Sequence, residues 1–156
     1  MGRPESAEEE EGAEGALNAI SGAIIGAAIE VHKALGPGLL ESAYQACLER
    51  ELVERGHQVE RQRSFPLVYK GSEISRWFRL DMVVDEQVLV EIKAVKHLLP
   101  VHESQILSYL RLASLPLGLL INFHGATLKA GLRRFRLSAP SLPSVLSLLS
   151  TLNLRR

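Results

Sequence analysis

The stretch that decides the fold is Arg79-Leu80-Asp81-Met82-Val83-Val84-Asp85-Glu86-Gln87-Val88-Leu89-Val90-Glu91-Ile92-Lys93. With a period of two it forms two short strands joined by a tight turn at Asp85–Gln87. On the first strand Phe78, Leu80, Met82 and Val84 share one face, and Arg79, Asp81 and Val83 the other. On the second, Val88, Val90 and Ile92 stand opposite Leu89, Glu91 and Lys93. A three-residue loop sets Val84 across from Val88, so Asp81 faces Glu91 and Arg79 faces Lys93. Facing cross-strand Cβ atoms lie about 5 Å apart, and like charges there are destabilising. At an effective dielectric of about 20 the repulsion is about 3 kcal/mol. A divalent cation, a neighbouring base or solvent exposure must offset it.

Working outward, the strand Val88–Lys93 is apolar on both sides apart from Glu91 and Lys93, which places it centrally and encloses those two charges. Enclosed charges are rarely left unpaired. One reading is an ion-pair lattice of Glu with Lys and Arg with Asp. The other is that Asp81 and Glu91 hold Mg²⁺ or Mn²⁺ through hard oxygen ligands. Such an ion polarises a phosphoryl oxygen and lowers the pKa of a bound water. Lys93 then orients that water or stabilises charge developing on phosphorus.

The segments on either side are helices and strands in alternation. Leu17, Ile20, Ile24, Ala27, Ala28, Val31 and Leu35 repeat with helical spacing. Gly36-Pro37-Gly38 ends that helix and opens a second, with Leu40, Ala43, Tyr44, Cys47, Leu48 and Leu52 inward and Gly56 as its C-terminal cap. Together they make a helical hairpin. Val59–Tyr69 alternates as a strand, and Pro66 puts part of it on an edge. Beyond Lys93, an irregular connection over residues 94–100 leads to a helix from about Val101 to Ala113. Residues 115–123 form a continuous apolar run, the mark of a strand buried on both faces. Thr127–Leu137 reads as a short basic strand with Lys129, Arg133, Arg134 and Arg136, and residues 142–154 as a short amphipathic helix. The order α-α-β-β-β-α-β gives one α/β domain around a mixed sheet.

Composition agrees with a single soluble domain. The 156 residues are 46% hydrophobic and 23% charged, with zero net charge. Residues 1–14 hold six Glu and one Arg. They lack large apolar groups and are expected to be a disordered acidic tail, which leaves a mildly basic body at residues 15–137 and an extension at 138–156. The basic run at Lys129–Arg136 is either a phosphate-contacting edge or a defence against edge pairing. Lone Cys47 excludes a disulfide framework and suits a reducing cytoplasmic setting. Gly22 and Gly26 have GxxxG spacing, but Glu30 ends their apolar run short of a membrane span, so no membrane partner is expected. Neither a zinc pattern, a nucleophilic triad nor a Gly-rich phosphate loop is present.

Other candidates for chemistry lie on the helices. His102, Gln105 and Tyr109 form a polar stripe at i, i+3 and i+7, either a solvated face or a set reaching phosphate or water. Glu41 in a first helical turn gains from the helix dipole, and Tyr44 three residues on reads first as a packing residue.

Gly38-Leu39-Leu40-Glu41-Ser42-Ala43-Tyr44 resembles the signature of the GxxExxY proteins of the PD-(D/E)xK nuclease superfamily. Residues 28–41, Glu91-Ile92-Lys93-Ala94-Val95, Pro100–Gln105 and Leu117–Phe123 look like that family too, so the resemblance runs from about Leu17 to Phe135. It implies a restriction-endonuclease-like αβββαβ core with a metal site at Asp81, Glu91 and Lys93. Gln105 and Tyr109 are similar to the Gln-xxx-Tyr element of exonuclease-type members, and Glu41 or Glu30 to an added carboxylate of the metal shell. His102, Tyr109 and Tyr44 would then face substrate. Leu80 stands where the superfamily motif has proline. The resulting expectation is a Mg²⁺- or Mn²⁺-dependent nuclease acting on DNA, with a homodimer as one option for cutting both strands; the alternatives are an inactive nuclease-fold domain that binds nucleic acid, or one that binds protein.

Overall fold

The structure, a computed structural model, describes residues 5–137, excluding the side chains of residues 76 and 77. The elements run α1 (Glu5–Leu35), α2 (Glu41–Glu54), β1 (Val59–Tyr69), β2 (Ser72–Val84), β3 (Val88–Lys93), α3 (Pro100–Ala113), β4 (Leu117–Asn122) and β5 (Leu132–Arg136), with a 3₁₀ turn at Lys129–Gly131. The five strands lie in the order β1-β2-β3-β4-β5. Only β3 and β4 are parallel, joined through α3, so the sheet is mixed. Residues 142–154, read as a helix from sequence, lie outside the described residues.

Helices cover both faces of the sheet. On one face α1 and α2 bury Leu17, Ile24, Val31, Tyr44, Leu48 and Leu52 against Met82, Val84, Val90, Ile92, Leu119 and Phe123. On the other, Ile106 and Leu110 of α3 pack on Leu80, Val83, Leu89 and Leu120. Gly118 permits that approach: a Cβ there would stand 3.0 Å from the methyls of both Ile106 and Leu110. Strands β3 and β4 are buried almost throughout because helices cover both sides.

Two expectations change. Residues 5–14, expected to be disordered, are the first turns of α1. Their Ala and Glu are strong helix formers, Glu5 and Glu8 sit at the positive end of the helix dipole, and Glu14 bridges Arg136 at 2.9 Å and Arg134 at 3.9 Å. Arg134 and Arg136 of the basic strand are thus partly neutralised within the chain. By length and composition α1 would also suffice to cross a membrane, although its apolar stripe lies in the core.

The second change concerns faces. The register Val84↔Val88 is as expected, with Asp85 and Glu86 at φ 50° and 57° in the turn. The uniform alternation along β2 is not. Met82 and Val84 pack toward α1 and α2, whereas Leu80 packs toward α3 with Val83. The strand changes face at Asp81, and β1 changes with it at Gln62, which has φ 55°. Arg79 therefore lines a cleft with residues of α2.

Candidate active site

The β2–β3 ladder ends at Met82↔Val90. At the next pair, side chains replace the backbone partners. The Asp81 N–H donates to Glu91 Oε1 at 3.2 Å, and the Ile92 N–H donates to Asp81 Oδ2 at 2.9 Å. The two carboxylates thus enter the opening between their strands, each anchored by a backbone N–H of the other strand. Glu91 is only 4% exposed, so solvent does not relieve the repulsion. Burial, then the charge of Asp81, push its carboxyl from the usual 4.5 up to about 9; the Asp81 N–H and Lys93 pull against that rise. At neutral pH Glu91 therefore keeps its proton and hydrogen-bonds the Asp81 carboxylate.

Lys93 ends β3, and the chain beyond it is tied at three successive residues. Lys93 O accepts from the Phe123 N–H at 2.9 Å. The Ala94 N–H donates to Glu41 Oε1 at 3.3 Å. Both the N–H and the carbonyl of Val95 bond the buried Asn122 amide, at 3.1 and 2.8 Å. Asn122 is itself confined, because a Cβ at Gly131 would fall 2.5 Å from its carbonyl oxygen. The signal in the sequence is a single amide ending an otherwise apolar run.

The other candidates divide. Glu41 reaches the exit of β3, while Glu30 is exposed on α1. Gln105 Nε2 donates to Tyr109 Oη at 2.8 Å, and the Tyr109 ring meets Phe78 edge-on at 5.6 Å, over the strand that carries Asp81. His102 is engaged at the start of α3, its Nδ1 accepting the Leu99 N–H at 3.0 Å. Tyr44 exposes no surface that could face substrate. It is fully buried, stacked on Phe123 at 4.4 Å, donating to Gly36 O at 2.6 Å and accepting from the Leu39 N–H at 3.1 Å. Its work is to hold the turn containing Gly36 (φ 68°) and Gly38 (φ 105°), which sets where α2 begins and hence where Glu41 lies.

A family model described as the PD-(D/E)XK nuclease superfamily matches residues 18–135. The chain belongs to this superfamily. Neither the curated proteins nor the solved structures yielded a match. The α/β architecture, with helices on both faces of a mixed sheet, is consistent with the superfamily's restriction-endonuclease-like fold. Nucleases of this superfamily generally use divalent metals and act on nucleic acid.

The residues present fit a hard divalent cation. Two carboxylates converge where burial, then the charge of Asp81, raises the Glu91 pKa, and a cation would take the place of the proton that Glu91 holds. Among the described residues, no group of three His, Cys, Asp or Glu side chains could hold an ion. Glu41, expected in the metal shell, is not grouped with Asp81 and Glu91 and instead accepts from the Ala94 N–H.

Proposed function

We propose that this protein is a divalent-metal-dependent nuclease that hydrolyses DNA phosphodiester bonds, of the kind marked by the GxxExxY signature. The observation that carries this reading is the pairing of Asp81 with buried Glu91 at the opening of the β2–β3 ladder, with Lys93 two residues on. Asp81 and Glu91 would hold Mg²⁺ or Mn²⁺, which when bound supplies polarisation of a phosphoryl oxygen and an acidified water. Lys93 contributes a fixed positive charge toward the oxygens on which negative charge grows during displacement at phosphorus. Gln105 and Tyr109, already bonded to one another, contribute a second polar edge on α3. Purified protein is expected to cut DNA with Mg²⁺ or Mn²⁺ and to stop on chelation, and Lys93→Ala should lower the rate by about 100-fold or more. Cleavage that survives chelation or that substitution sinks the assignment.

A second reading is a nuclease-fold domain that binds nucleic acid or protein without cutting. It is favoured by the absence of a three-ligand cluster among the described residues. Salt-sensitive DNA binding with no metal-dependent turnover would select it.

A further inference from the structure

The β1–β2 ladder keeps one register from Val59↔Val84 to Phe65↔Phe78 but skips the Gln62–Asp81 pair. At φ 55° Gln62 adopts a left-handed conformation that side-chain-bearing residues rarely take. Its side chain meets α2, where Nε2 donates to Gln45 Oε1 at 2.8 Å. A cleft of about 720 Å³ opens there, lined by Leu39, Leu40, Gln45, Arg61, Gln62 and Arg79. Glu41 and Ala94 line it as well, and Arg79 and Ala94 lie two and three positions along the chain from Asp81 and Glu91.

Its chemistry is that of a nucleotide site. Arg61 bonds Glu49 through Nη1 at 3.1 Å, but its Nε is buried with no hydrogen-bond partner among the described residues. A buried N–H of that kind calls for an acceptor. Exposed Arg79 supplies a second guanidinium, and guanidinium groups match phosphate in charge and geometry. The Gln62–Gln45 amides offer donors and acceptors to a base edge. Leu40, 77% exposed, and Leu39, 43% exposed, offer apolar surface to a base face. The volume lies among pockets of roughly 300–1,000 Å³ that enclose small ligands. That scale fits one unstacked nucleotide, whose base can be splayed into a site, as is usual when unpaired strands are recognised.

We infer that this cleft seats one nucleotide of an unpaired DNA strand beside the Asp81–Glu91 pair. The phosphate lies on Arg61 and Arg79 and the base against the Gln62–Gln45 amides and Leu39–Leu40. The inference rests on the nuclease reading for its purpose, while its test reads binding alone. Fluorescence anisotropy with a labelled 12-nucleotide oligothymidylate is measured in chelator, against a duplex of equal length, the matching RNA and free thymidine monophosphate as competitors. The single strand should bind at least about tenfold tighter than the duplex. Arg79→Ala should weaken it about tenfold and reduce the salt slope by about 0.7, the value for one phosphate contact on a single strand. Gln62→Gly, which keeps the left-handed backbone and removes the amide, should weaken binding several-fold with no loss in melting temperature. Equal or tighter binding of duplex or RNA, displacement by the free mononucleotide at the oligonucleotide's own concentration, or indifference to both substitutions would overturn the inference. Binding that depends on Arg79 and Gln62 without any Mn²⁺-dependent cutting upholds the cleft and removes the nuclease reading. Lys93-dependent cutting that ignores both substitutions does the reverse.

Discussion

Two buried polar sets stand on either side of the β3 exit, and they are built in opposite ways. Around Tyr44 and Asn122 the principal polar groups are paired: the phenol both donates and accepts, and the Asn122 amide bonds both backbone groups of Val95. In the Asp81–Glu91 pair, two acids are pressed together, and burial, then the charge of Asp81, raises the Glu91 pKa to about 9. A satisfied network fixes one geometry. A frustrated pair stores an affinity for positive charge. The comparison separates the signature tyrosine, which is a brace, from the acids that stand where chemistry is possible.

The largest expected effect comes from breaking the frustrated side. Glu91→Gln should lower metal-dependent cleavage by about 1,000-fold, the scale of losing a principal group that stabilises transition-state charge. Its melting temperature in chelator at pH 8 should equal or exceed that of the unsubstituted protein, because the amide is neutral in both states and folding need not draw a proton onto it, as it must onto Glu91. A marked fall in stability with cleavage retained would reverse the roles given to the two sets.

Next in size is the satisfied side. Tyr44→Phe leaves Gly36 O and the Leu39 N–H without the hydroxyl, which should cost about 1–3 kcal/mol in denaturant unfolding. Cleavage per folded molecule should stay within about threefold. A loss of cleavage matching that of Glu91→Gln, in a fully folded sample, would give Tyr44 a part in the reaction and contradict its role as a brace.

A further effect follows from pH. Folding raises the Glu91 pKa from 4.5 to about 9, so between those values the folded protein holds a proton that the unfolded chain has lost. The contribution of this group to metal-free stability is complete below pH about 4.5 and declines as pH rises toward 9. Cation affinity should run the other way, rising with pH over the same window with release of about one proton per ion. Calorimetry in two buffers of different ionisation enthalpy measures that proton. No release at pH 7 would mean that Glu91 is already ionised.

Much of this was legible in residues 79–93. Alternation and a three-residue turn set the Val84↔Val88 register and brought Asp81 to Glu91, because a hairpin's register follows from its loop. The face change was not legible, since it depends on Gln62, nineteen residues earlier, taking a left-handed backbone that no residue-type pattern announces. That is also why Arg61, Gln62 and Arg79 were not read as one side of a cleft. The helix over residues 5–14 was missed for a different reason. Low hydrophobicity argued for disorder, while helix propensity and the pairing of Glu14 with Arg134 and Arg136, 120 or more positions along the chain, act against it.

The most direct measurement of the central claim is thermal unfolding with and without Mn²⁺, for the unsubstituted protein and for Asp81→Asn. A ligand at about 100 times its dissociation constant stabilises the native state by about 2.7 kcal/mol. The account predicts a rise in melting temperature of that origin in the unsubstituted protein and none in Asp81→Asn. No rise in the unsubstituted protein, or an equal rise in both, would contradict the assignment of Asp81 and Glu91 as a cation site.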